Sequence, residues 1–218
     1  MDVRKSMNCR ELRDCDVVDS DGQKVGRIND MTFTFDGQLK LEQFVLAGSA
    51  WEEFLESIRM KPDKDPVFDA SMIRRIGDKV QLESNVNELK TTLDKGAIPK
   101  GEIRWSELSK KHIIDRDGVT VGKAVDIDFD IDGKASLTVG GGLIEESLER
   151  FGLKDDIDII VPAKTIESIS DEIRLNVSKD ELQLTMDKAL ENPEVLAIKD
   201  RRDVDRGVAK VRLFVRPI

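Results

Sequence analysis

Asp128-x-Asp130-x-Asp132-Gly133 opens in the manner of an EF-hand calcium loop, with carboxylates at alternate positions. That loop closes on a bidentate Glu at its twelfth position, and the residue there is Val139. Ninety-six positions earlier the corresponding residues are Thr32, Thr34 and Asp36. Alternating acids on the wet face of a strand are therefore expected, with no metal site. Gly140-Gly-Gly142 lacks the following Lys-Ser/Thr of a phosphate loop. It leads into Leu143-Ile-Glu-Glu, whose acids suit the start of a helix and would repel a phosphate. A strand-to-helix turn is the expectation. The one histidine, His112, has no second His or Cys near it in sequence, and a zinc site needs several such ligands. Cys9 and Cys15 stand six apart with no further cysteine, a pattern that fits a reducing compartment. Nucleophilic catalysis by Ser or Cys needs a basic partner, and with no Tyr and one His the chain is short of acid–base residues. No catalytic, metal or cofactor-binding residue is assigned, and the chain is expected to be non-enzymatic.

The elements that position these residues occur twice. Asp19, Asp21, Gly22, Val25, Gly26, Asp30, Phe33, Asp36 and Gly37 each meet the same residue 96 positions later, and self-similarity at a fixed offset marks a repeat. Each Asp-Gly pair, at 21–22 and 117–118, supplies the positive φ of a tight hairpin turn. Gly26 and Gly122 fall inside strand patterns, where a glycine marks a bulge or a close backbone approach. Val125, Ile127, Phe129 and Ile131 alternate with aspartates at the period of a strand, and Asp132-Gly133 turns the chain again.

Leu39 to Ala47 reads as a third strand. Trp51, Phe54, Leu55 and Ile58 share one face of a short amphipathic helix, whose counterpart, at an offset of 93, is Ile144, Ser147, Leu148 and Phe151. Pro66-Val67-Phe68 and Asp158 to Pro162 read as buried strands. Two further strands follow in each copy, with turns at Gly77-Asp78 and Ser170-Asp171. Short helices are then expected over Glu88–Lys95 and Glu181–Lys188. Gly96-Ala-Ile-Pro-Lys-Gly101 is a compact hinge. The expected organisation is 1–96, 102–191 and a tail, 192–218.

In that tail, Glu194–Lys199 and Val208–Val215 suit two strands of a hairpin. The second must pair with the first, with a sheet edge or with another copy of the chain, because an unpaired edge invites association. The 218 residues carry a net charge of −9. Residues 199–218 hold seven basic and three acidic side chains, so this stretch is +4 and the other 198 residues are −13. A body this acidic argues against general phosphate-backbone binding. The N-terminus shows no apolar signal-peptide core and no run spans a bilayer, so cytoplasmic residence is expected.

The order Asp19-x-Asp-Gly-x-x-Val-Gly-x-x-x-Asp30-x-x-Phe33, followed by Ile73-x-x-Ile76-Gly-Asp78-x-Val-x-Leu82, resembles the PRC-barrel domain. The second copy, Asp115 to Phe129 and Ile166 to Leu175, resembles it equally. The inserted helix and the Lys61-x-Asp63-x-Asp65 and Lys154-x-Asp156-x-Asp158 approaches are most similar to archaeal stand-alone members. The resemblance implies a mainly β fold with short helices: two small barrels in tandem, each with an inserted helix, plus the C-terminal hairpin. It implies protein docking without a cofactor, as a homodimer or through a protein partner, in the manner of archaeal cell-division adaptors to the anchor SepF. The alternative it leaves open is ribosome maturation or RNA metabolism of the RimM type. The interaction residues expected are Val208, Val211, Leu213 and Val215 on the tail strand, with Arg201, Arg202 and Arg206 beside it.

Overall fold

The computed structural model describes residues 2–3, 7–13, 15–47, 66–85, 90–91, 95–129, 134–153, 157–195, 197 and 211–214. It divides into two compact units, Met1–Leu108 with Asp128–Ala135, and Ser109–Ile127 with Ser136–Ile218. Both are mainly β with short helices.

The strands of the first half are β1 (Asp2–Val3), β2 (Met7–Asn8), β3 (Asp16–Val18), β4 (Lys24–Phe35), β5 (Leu39–Ala47), β6 (Pro66–Asp69), β7 (Ile73–Ile76), β8 (Lys79–Leu82), β9 (Lys90–Thr91) and β10 (Ile103–Arg104). Helix α1 covers Cys9–Arg13 and α2 covers Trp105–Leu108. The second half adds β11 (His112–Ile114), β12 (Thr120–Phe129), β13 (Ala135–Gly140), α3 (Gly142–Phe151), β14 (Ile157–Pro162), β15 (Ile166–Ile169), β16 (Ile173–Leu175), α4 (Lys179–Leu190) and β17 (Val211–Phe214).

Six strands take one order in both sheets. The first runs β1-β7-β8-β3-β4-β5-β6-β9, and the second β15-β16-β11-β12-β13-β14-β17. The shared six are β7-β8-β3-β4-β5-β6 and β15-β16-β11-β12-β13-β14, so the repeat seen in residues is a repeat in topology. In each, the strand entering the Asp-Gly hairpin lies parallel to the last strand of the six in sequence, β3 to β8 and β11 to β16. Glycines at φ +81° (Gly22) and +84° (Gly118) close the hairpin turns, as their missing Cβ permits. Gly122 serves a close approach: a Cβ there would stand 2.6 Å from the Gly140 carbonyl oxygen.

Apolar alternation places the cores. Phe33, Phe44 and Phe68 are fully buried in the first unit, with the Phe44 and Phe68 rings stacked at 5.1 Å. Burying one such side chain contributes about 1.5–3 kcal/mol. In the second unit α3 buries Leu143, Ile144, Ser147 and Leu148, the face its spacing predicts, with Phe151 half-buried. The corresponding face at 51–58 lies outside the described residues.

Three expectations need correction. Asp126 and Asp128 are buried, at 5% and 4% exposure, so the alternating acids do not line a wet face. Both faces of that stretch are covered, and the Asp126 carboxylate accepts the Ile127 N–H at 2.8 Å. Lys90–Thr91 is a strand on Val67 and Pro66, where the spacing predicts a helix over Glu88–Lys95. Its counterpart does fold as predicted: α4 starts on a reciprocal capping box between Ser178 and Glu181. The C-terminal hairpin is absent from the described residues, since 193–195 are helical and β17 pairs in parallel with β14, Ile157↔Val211 through Ile160↔Phe214. Of the three partners the sequence allows that strand, the structure selects a sheet edge.

Candidate functional site

Two kinds of feature stand out, the sheet ends and the carboxylates beneath the hairpin turns. The second sheet ends on β17, whose outer side has no strand among the described residues. Val211 and Leu213 lie on this strand, opposite Ile157 and Ile159, and Leu213 is half-buried. Arg212 stands opposite Asp158 in register. Val208, Val215, Arg201, Arg202 and Arg206 lie outside the described residues. The first sheet ends on the two-residue strand β9, and so short a strand adds little pairing energy.

Asp115 is 2% exposed and organises the second unit's turn. Its Oδ1 accepts the backbone N–H groups of Asp117 (2.9 Å) and Val119 (2.7 Å). Its Oδ2 accepts that of Lys179 at 2.8 Å, the first residue of α4. Burial pushes this carboxyl up, but the N–H donors of Val119, Lys179, Asp117 and Gly118 outweigh it and hold it below the usual range. Arg174 donates to the Asp115 and Arg116 carbonyls at 3.3 and 3.1 Å. Arg116 pairs with Glu181 at 3.2 Å.

The first unit repeats half of this arrangement. Asp19 Oδ1 accepts the N–H groups of Asp21 (3.0 Å) and Gln23 (2.9 Å). Its Oδ2 is buried with no hydrogen-bond partner among the described residues, in a residue 1% exposed. Leaving such an acceptor unmet costs about 1–3 kcal/mol. Beside it opens a groove of about 600 Å³ lined by Ser20, Asp21, Ser71, Met72, Glu83, Ser84 and Asn85. The lining carries two acids and no base.

A third buried carboxylate, Asp30, joins β4 to α2: Oδ1 accepts the Ser106 N–H at 3.1 Å and Oδ2 its hydroxyl at 2.6 Å. Glu102 accepts the Thr32 hydroxyl at 2.5 Å. Its own burial, together with nearby Glu42 and Asp69, pushes its carboxyl above the usual range.

The residues weighed for chemistry are dispersed. His112 is exposed on β11, opposite Lys123. Cys9 is buried and Cys15 half-buried, neither in a disulfide, and the Cys15 thiol donates to the Glu11 carbonyl at 3.2 Å. Among the described residues no three potential ligands converge on a metal position. Gly141 and Gly142 have φ +73° and +53°, and a Cβ on Gly142 would stand 2.8 Å from the Val121 carbonyl oxygen, so the first serves the turn into α3 and the second a close approach. The capping role of Asp115 is not among the sequence-based expectations. Its signal is present in the aspartate kept at 19 and 115, but the N–H it binds lies 64 residues away.

A PRC-barrel domain is found at residues 4–84, the first copy of the repeat. This is a module of protein-interaction and ribosome-maturation type. No curated protein matches the chain. Among the described residues no helix is long and apolar enough to cross a membrane.

Proposed function

We propose that the chain is a non-enzymatic adaptor built from two PRC-type barrels in tandem, which binds a protein partner by strand addition at its sheet ends. In that mode a main-chain edge supplies affinity and alternate side chains supply specificity. The observation that carries the reading is β17: the chain itself uses an apolar–basic strand to extend a sheet at β14, and the far side of that strand ends the sheet among the described residues. The buried carboxylates fit the same reading, because Asp115 and Asp30 are committed to backbone and hydroxyl donors that hold elements together. The setting we favour is an archaeal division scaffold linked to SepF, with the protein acting as a homodimer or through a partner in the cytoplasm. A factor of the RimM type in ribosome maturation is the second reading, favoured by the +4 charge of residues 199–218.

The test is a pull-down from native lysate with the full chain and with a chain ending at Asn192, each with and without nuclease. A nuclease-resistant division or cytoskeletal protein, lost on truncation, is the expected result. Ribosomal proteins that vanish with nuclease would overturn the adaptor reading in favour of the second.

A further inference from the structure

Within the first unit the two copies of the repeat lend each other a strand. Met7 and Ile103, and Asn8 and Arg104, stand 96 positions apart, so β2 and β10 are one element of the repeat, each leading into a short helix. Both helices carry Glu-Leu, at Glu11-Leu12 and Glu107-Leu108, with both leucines buried. β10 pairs antiparallel with β4, Ile103↔Phe33 and Arg104↔Thr32. β2 pairs antiparallel with β12, Phe129↔Met7 and Asp128↔Asn8, and Asp128 and Phe129 are the counterparts of Thr32 and Phe33. Position i of one copy thus meets position j of the other, and j meets i, the contact rule of an isologous two-fold interface. One position meets itself: the Phe33 and Phe129 rings stack at 6.0 Å. Asp30 fastens the second arm by accepting the Ser106 N–H and hydroxyl. All these residues lie in the first unit, which takes in Asp128–Ala135.

A surface that is complementary to its own repeat also fits that repeat in another molecule. From this we infer that the arms 7–13 and 103–108, with the parts of β4 and β12 that receive them, form a self-recognition surface whose partner is a second copy of this chain. In the closed form each arm docks within its own chain. In the exchanged form the β10 arm of one chain docks on β4 of another, the contact is returned, and every pairing is remade between chains. The hinge separates the two forms. Gly96 and Gly101 bend it at φ +77° and +100°, and a Cβ on either would meet nothing within 4 Å, so backbone conformation holds the turn at these two positions. So short a connection gives the closed form a high effective concentration, and straightening it offers the arms to another chain. The exchanged dimer carries two β17 edges where the closed chain carries one.

This surface is separate from the sheet ends, so the test can fail without touching the strand-addition reading. Light scattering of the full chain is followed over a range of concentrations, beside the variant Gly96→Val with Gly101→Val. A β-branched residue at positive φ is strained but here meets no neighbour, so the double variant favours an extended hinge. The parent should be mainly monomer, with a dimer that grows with concentration, and the hinge variant should raise the dimer fraction several-fold. Disulfide trapping then locates the contact. Thr32→Cys in one chain and Arg104→Cys in another, both with Cys9→Ala and Cys15→Ala, are incubated together and oxidised. Those positions face each other in register, so a cross-link between the two chains should form. Lys40→Cys in place of Thr32→Cys, at an exposed position of β5, should form none. A single chain mass at every concentration in parent and hinge variant would overturn the inference, as would a dimer fraction unmoved by the hinge variant. Dimers without the 32–104 cross-link would overturn the arms as the contact and leave association at a sheet edge standing. The hinge variant changes no core residue, so light scattering decides the matter even where the cysteine chains do not fold.

Discussion

Asp19 and Asp115 occupy the same place in two copies of one hairpin turn, yet among the described residues they bind different numbers of donors. At Asp115 two N–H groups close the turn, Arg174 of β16 holds its carbonyls, and the Lys179 N–H and the Arg116–Glu181 pair tie it to α4. At Asp19 the turn closes on itself through two N–H groups, and the second oxygen stays unmet by the described residues. The position of Arg174 is taken in the first copy by Gln81, and that of Arg116 by Ser20. One aspartate in one turn thus holds a distant helix start in the second unit, while among the described residues its twin in the first holds only its own turn. A motif defines what a residue can bind, and its neighbours decide whether it does.

The comparison breaks most visibly under Asp115→Ala. That change strands three N–H donors in a buried turn and removes a helix-capping acceptor, costing about 2–4 kcal/mol. Asp19→Ala loses two hydrogen bonds but also removes an acceptor that no described residue meets, so its cost should be less than half as large. Urea denaturation of the two variants checks the difference, and equal losses would erase the asymmetry. Smaller effects are expected at two further polar side chains. Ser178→Ala, which removes the capping-box acceptor of α4, is expected to cost about 1 kcal/mol, and Asn85→Ala, which removes the exposed hydrogen bond its amide donates to Asp21 at 3.0 Å, about half as much or less. Thermal melts of both variants test this.

The smallest effects lie in pH. The lowered carboxyl of Asp115 contributes stability that is complete above the ordinary carboxylate range and lost as pH falls through its depressed value. Glu102, raised by burial, acts oppositely: its contribution is complete below the ordinary range and lost as pH rises through its elevated value. Melting temperature followed from acid to neutral pH should therefore lose part of its acid limb in Asp115→Asn. In Glu102→Gln it should decline less toward neutral pH. Unchanged profiles would show that neither carboxyl is coupled to folding.

Much of the fold is legible in the sequence because the signal is local and doubled. The Asp-Gly turns, the strand alternation read from Val125 to Ile131 and the Ile144–Leu148 face each depend on neighbours within a few residues, and their recurrence at 96 and 93 positions ties them to one topology. The Ser178-x-x-Glu181 cap is readable for the same reason. The helix expected over Glu88–Lys95 misleads at Lys90–Thr91, which pairs with β6, because a local helix signal carries no information about a nearby sheet edge. The acids at 126 and 128 mislead likewise, since alternation reports a strand but not what covers its second face. Of the candidate interaction residues, Val211 and Leu213 do lie in a strand, yet the parallel partner that receives them is not legible.

The sequence by itself determined the repeat, the turns and the strand order's building blocks, because these follow from backbone preferences and short-range alternation. Only the tertiary structure decided that β17 lies on β14, that Asp115 is met by a helix 64 residues away and that Asp19 has no such donor among the described residues. Those outcomes depend on which main-chain donors and edges the packed chain brings within hydrogen-bond reach, and no spacing along the chain records that distance.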